Sequence, residues 1–216
     1  VQLLLAEGRT YILILAVAAI LLYTIHPLLL ILPLFILGFL IYFFRDPKRR
    51  HPPANTAETD FLAPADGRVT VVGVVEEPFL FHGPAQMVTI FLSPLDVHVN
   101  RSPIDGQVIA VEHKPGRFRP AYLAEAPSVN ERNLIAVKNS QTQCLLVQIV
   151  GVVARRVVCW VKVGDQIQRG EKFGLMKFGS SMQVFMPPET EVKVEQGERV
   201  VGGETVIGVI RRDKLD

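Results

Sequence analysis

A chain of 216 residues has room for one ordinary domain and a membrane-directed segment, and 23 Lys and Arg against 21 Asp and Glu leave a formal net charge of +2. So even a balance gives no electrostatic footprint for nucleic acid, and no nucleic-acid partner is expected. Hydrophobic residues make up 49% and the mean hydropathy is +0.30, high for a purely soluble protein, and the excess sits in the first 44 residues.

Residues 10–44, TYILILAVAAILLYTIHPLLLILPLFILGFLIYFF, contain no Asp, Glu, Lys or Arg. A secretory signal would have a shorter apolar core and a small-residue cleavage site. As one helix the run would be roughly 50 Å long, well over the ~30 Å hydrocarbon core. His26-Pro27 interrupts it near the middle, where proline disfavours helix continuation. The expectation is a transmembrane helical hairpin, about 10–25 and 28–44, each arm slightly short for a full span; the rival is one tilted span after an interfacial segment. Arg45-Asp46-Pro47-Lys48-Arg49-Arg50-His51 follows at once. Its basic residues place this flank on the cytoplasmic side of a cell (inner) membrane, at headgroup level. Residues 1–51 are therefore read as a membrane anchor and 52–60 (PPANTAETD) as a linker.

From 61 to 216 the pattern changes to short β-branched runs punctuated by Gly, Pro and Asp: 68–75, 87–92, 107–113, 134–139, 144–154 and 157–163. A mainly β domain is expected, with 119–133 a loop containing a helical turn. Two echoes suggest internal duplication. Ala63-Pro64-Ala65-Asp66-Gly67-Arg68-Val69 is answered by Ser102-Pro103-Ile104-Asp105-Gly106-Gln107-Val108, and VKVGDQIQRGEKFG (161–174) by VEQGERVVGGETVIG (194–208). Repeated Gly-acid turn units fit a compact barrel or sandwich built from half-barrel units.

Between the second pair lies LMKFGSSMQVFMP (175–187), where a polar Gly179-Ser180-Ser181 interrupts an apolar segment and needs a reason. One chemistry suits it. Gly179 leaves its carbonyl open to the Ser180 hydroxyl, the acyl group shifts from nitrogen to oxygen, and β-elimination ends in a pyruvoyl group. A base must take the proton and a donor must hold the oxyanion. Cys144 and Cys159 form no CxxC and are read as reduced thiols, and His26, His51, His82, His98 and His113 lack ligand spacing, so no metal is expected.

FGSSMQVFMP resembles the processing site of the phosphatidylserine decarboxylase family, in its short, archaetidylserine-decarboxylase-like form. The resemblance continues through APADG (63–67), FLSPLDVHVNRSPIDG (91–106), KPGRF (114–118), NERN (130–133) and VQIVGVVARRV (147–157). Each motif is weak alone; their order is specific. The resemblance implies self-cleavage into 1–179 and 180–216, which stay together, and a pyruvoyl cofactor made from Ser180. It implies phosphatidylserine as substrate and phosphatidylethanolamine and CO2 as products. It carries an Asp-His-Ser set onto Asp66, His98 and Ser180. Longer members have a second histidine where this chain has Arg101, so His98 is left to processing, decarboxylation or both. Diacyl and ether-linked substrates, and a homo-oligomer, are left open.

A second class competes. Gly-acid units on both sides of Lys177 are similar to biotinyl and lipoyl carriers, in which a hairpin lysine holds the prosthetic group. That alternative makes the chain a membrane-anchored carrier using Lys177, and leaves HVNRSPIDG and NERN without a role.

Overall fold

A computed structural model describes residues 7–52, 58–120, 125–151, 157–177 and 180–211. The chain divides into two compact units, 1–48 and 49–216.

In the first unit, helix α1 (Arg9–Ile25) and helix α2 (Ile31–Phe43) are joined by a 3-10 turn, Pro27–Leu30. The break falls at His26-Pro27, where the His26 ring accepts the Leu28 N–H at 3.2 Å and caps the turn. Tyr11 and Phe44 lie with ring centroids 6.4 Å apart, so the two arms run back along each other. The expectation of membrane-spanning arms requires correction. With 17 and 13 residues, the helices are only about 25 and 20 Å long. Among the described residues no helix is long and apolar enough to cross a membrane. The 3-10 turn takes up residues that a longer arm would need.

The second unit is mainly β. Among the described residues it holds an eight-stranded antiparallel sheet and two three-stranded ones. The long sheet runs β13 (Arg199–Val200), β2 (Gly67–Glu77), β3 (Gly83–Leu92), β11 (Ser180–Met186), β7 (Gln143–Val150), β6 (Arg132–Lys138), β5 (Gly106–Lys114), β9 (Gln166–Ile167). The short sheets are β1 (Glu58–Leu62), β14 (Val206–Arg211), β12 (Glu191–Val192), and β4 (Val99–Arg101), β10 (Lys172–Met176), β8 (Val157–Cys159). Residues 58–60 of the expected linker thus open a strand, and α3 (Ala126–Val129) supplies the helical turn expected in 119–133.

Alternation along β11 explains its wholly apolar setting. Met182, Val184 and Met186 enter the main core with Ile90, Leu92, Leu146 and Met176, while Phe185 turns to a second cluster with Leu145, Val147 and Ile149. Both faces of this central strand are covered, so all seven of its residues are buried.

The two sequence echoes combine into one duplicated device. Val69 N–H donates to Glu198 O and Gly197 N–H to Val69 O; in the other copy Val108 N–H donates to Asp165 O and Gly164 N–H to Val108 O. Gly203 N–H donates to Ala63 O as Gly170 N–H does to Ser102 O. The copies also exchange bonds, Leu62 N–H to Pro103 O and Arg101 N–H to Pro64 O. Gly170 and Gly203 both have φ +78°, a left-handed turn conformation open to glycine. The curled half-barrel is therefore pseudo-symmetric, and its asymmetries mark particular residues.

Candidate active site

Ser180 opens β11 between Leu92 of β3 and Val150 of β7. Its side chain shares the core-facing side with Met182 and is fully buried. Its Oγ finds no hydrogen-bond partner among the described residues. A buried unpaired hydroxyl costs about 1–3 kcal/mol, so an apolar strand retaining one needs a chemical reason. Phe178 and Gly179 lie outside the described residues. The position fits a pyruvoyl group: a ketone there would remove the unpaired donor while the flanking strands still hold the residue.

His98 reaches the same end of the sheet by another route. Its carbonyl accepts the Met176 N–H at 3.2 Å, four residues before Ser180. The preceding loop is held by Asp96, whose carboxylate accepts the Ser93 N–H at 2.8 Å and pairs with Arg199 at 2.5 Å. His98 is fully buried, with Nδ1 3.0 Å from Asp96 O. A carbonyl can only accept, so Nδ1 carries the proton and Nε2 is the basic nitrogen of the neutral ring.

Asp66 directly precedes β2, whose Arg68 stands opposite Phe91, the residue paired on its other side with Ser181. All three candidates thus gather at one end of the long sheet, which sequence separation hid. They do not form a hydrogen-bonded chain. The Asp66 carboxylate accepts from Arg49 Nη2 at 2.8 and 2.9 Å and from Gly202 N–H at 2.8 Å. Its echo Asp105 is exposed. The duplicated turn is therefore built twice, but only one copy carries a clasped carboxylate.

Arg101 is buried and donates from Nη1 to Gly170 O at 3.1 Å. Lys177 is 5% exposed. A carrier lysine must present its amine at an exposed tip, so the carrier reading is not favoured.

Two features escaped the sequence. Arg49 reads there as one of several membrane-flanking cations. A buried amide ladder also crosses the interior: Asn133 Nδ2 donates to Gln148 Oε1 at 3.1 Å, and Gln148 Nε2 to Asn100 Oδ1 at 2.8 Å. Asn100 stands two residues after His98, and its Nδ2 is buried with no partner among the described residues. Asn100 and Gln148 are inside the HVNRSPIDG and VQIVGVVARRV motifs, the only sequence signal for them.

A mainly β half-barrel carries at the head of its central strand a buried serine with no side-chain partner among the described residues, and histidine and aspartate come to the same end. Comparison gives the family. The family model described as phosphatidylserine decarboxylase matches residues 36–208, and the chain belongs to that family. It is 44% identical over 206 residues, 95% of each chain, to a protein of Carboxydothermus hydrogenoformans named phosphatidylserine decarboxylase proenzyme. Proteins of the same name from Symbiobacterium thermophilum and Salinibacter ruber are 46% and 43% identical, covering 79% and 81% of this chain and 78% and 77% of their own.

Proposed function

We propose that the chain is a proenzyme that cuts itself between Gly179 and Ser180 and then decarboxylates phosphatidylserine to phosphatidylethanolamine. The observation that carries this is the fully buried Ser180 hydroxyl at the head of β11, with no partner among the described residues. In the cut, Ser180 Oγ loses its proton and attacks the Gly179 carbonyl. The Ser180 nitrogen leaves as an amine, giving an ester. Loss of the Ser180 Cα proton then expels the Gly179 carboxylate. The remaining dehydroalanine tautomerises, takes up water and releases ammonia, leaving a pyruvoyl group on residue 180.

His98 supplies the base through Nε2, with Nδ1 anchored on Asp96 O so that the ring keeps one orientation. Asp66 supplies a fixed negative charge beside the turn that starts β2. The pyruvoyl ketone, when formed, supplies an electron sink for loss of CO2 from an amine-bearing headgroup. In that reaction His98 returns a proton after CO2 departs, and the covered faces of β11 exclude water. The products 1–179 and 180–216 stay together because β11, in the small chain, pairs on both sides with strands of the large one.

Membrane association fits a membrane-lipid substrate. Leu13, Ile14, Ile20, Leu21, Leu34 and Phe35 all stand exposed on the two helices. The short hairpin would lie in one leaflet with its basic flank at the cytoplasmic headgroups of the cell membrane. Intact mass spectrometry of the purified protein tests the core of the proposal. Two chains, 1–179 and a ketone-bearing 180–216, are expected. A single active chain would overturn it, and a biotinyl or lipoyl mass on Lys177 would restore the carrier reading.

A further inference from the structure

Residues 49–52 lie along the duplicated turns as a strap. The backbone N–H of Arg50 donates to Glu204 Oε1 at 3.0 Å, and His51 Nδ1 donates to Gly203 O at 2.6 Å. Arg169 donates to the Pro52 carbonyl and pairs with Asp60 at 3.3 Å. The His51 ring is wedged between the equivalent glycines of the two copies. A Cβ on Gly170 would stand 2.3 Å from His51 Cε1, and one on Gly203 3.2 Å from it. The strap therefore sits where the two half-barrel units meet, and from there Arg49 reaches Asp66.

We propose that Arg49 is a positioning residue for Asp66, holding its carboxylate for self-cleavage, so that the basic strap is a working part of the decarboxylase unit rather than only a membrane-facing flank. The inference rests on the reading of Asp66 as a member of the processing set. Four observations carry it. The Arg49 and Asp66 side chains are 7% and 17% exposed, so the pair is sheltered rather than a screened surface contact. One guanidinium nitrogen bonds both carboxylate oxygens, and Gly202 N–H adds a third bond, which fixes the carboxylate in rotation as well as position. The duplication supplies an internal control: around Asp105-Gly106, Ser102 and Val108 make the same backbone bonds as Ala63 and Val69 while the aspartate is exposed, so the turn itself does not require an arginine. Arg49 also leaves its Nε buried without a partner among the described residues, so its placement serves Asp66 rather than its own hydrogen bonding. Removing one partner of a sheltered ion pair leaves the other charge uncompensated and mobile.

The test uses full-length chains and follows conversion of precursor to 1–179 and 180–216 by gel and intact mass. Arg49→Ala is expected to slow cleavage more than tenfold. Millimolar guanidinium should restore it by entering the vacated site, whereas tetramethylammonium should not. Arg49→Lys, which keeps the charge but lacks the planar group, should fall between. Arg50→Ala and Asp105→Asn should cleave as wild type. If Arg49→Ala fails to fold, Arg49→Lys decides: slowed cleavage supports the proposal, and a wild-type rate overturns it. Wild-type or faster cleavage in Arg49→Ala overturns it, as does slowed cleavage that guanidinium does not restore. Asp66→Asn separates the two levels. If it blocks cleavage while the Arg49 variants cleave normally, only the positioning role falls. If it cleaves normally, the reading of Asp66 itself falls.

Discussion

Gln148 Nε2 donates to Asn100 Oδ1 at 2.8 Å, joining the long sheet to the β4–β10–β8 sheet through the interior. Room for this comes from Gly174, which pairs with Asn100 and whose missing Cβ would stand 2.9 Å from Gln148 Nε2 and 2.4 Å from Val158 O. The second contact is backbone and cannot step aside. Gly174→Ala is therefore expected to destabilise the protein by about 1–3 kcal/mol, as overpacking does. Urea unfolding in a Ser180→Ala background, which keeps one chain, measures it; an unchanged midpoint would contradict the packing.

Ser180→Ala removes both the proposed nucleophile and a hydroxyl that has no partner among the described residues. The variant should remain one uncut, inactive chain with the full mass. It should also be at least as stable as any other uncut precursor, since no hydrogen bond is lost with Oγ among the described residues. Accumulated uncut chain and a melting temperature at or above that of an uncut Asp66 variant are the two readouts.

His98→Ala should impair cleavage, decarboxylation or both by about 10²–10⁴, the usual contribution of a placed acid or base. The reactions separate by order. A cleaved but slow mutant assigns His98 to the lipid reaction, and accumulated precursor assigns it to processing. Normal cleavage with normal turnover would remove His98 from the site.

Removing residues 1–44 leaves the strap and the β unit. The shortened chain is expected to cleave itself but to lose flotation with anionic lipid vesicles and to act poorly on bilayer substrate. Retained flotation would place the membrane contact outside the helices.

Burial pushes the Cys144 thiol from 9.0 up to about 12. In the unfolded chain this thiol ionises near 9.0, while the folded chain keeps it protonated until about pH 12. Its contribution is present in full below pH 9.0 and is lost as pH rises to about 12, of order 4 kcal/mol across the window. Chemical unfolding from pH 8 to 11 should show a steeper decline for wild type than for Cys144→Val.

The strand-rich character and the break at His26-Pro27 were legible because each depends on local composition. Runs of β-branched residues between turn formers favour strands wherever they sit, and proline interrupts a helix without regard to context. The echoes were visible too, though their meaning was not. That Asp66-Gly67 docks on the 194–208 unit and Asp105-Gly106 on the 161–174 unit is a matter of long-range pairing, which leaves no periodicity behind.

The helices show where length alone misleads. The apolar run is long enough to suggest spanning arms, but the 3-10 turn leaves 17 and 13 residues in the helices. Composition records hydrophobicity, whereas span length depends on where the backbone turns.

By itself the sequence determined the family, the mainly β class and the serine on which the chemistry is read, because these rest on residue types and their order along the chain. Only the tertiary structure decided which of two echoed aspartates is held by a buried arginine, that Lys177 is enclosed rather than displayed, and that Gln148 reaches Asn100. Those outcomes depend on which surfaces meet when distant strands pair. Hydrogen bonding and burial act over a few ångströms in space, and the linear order of residues does not encode that distance.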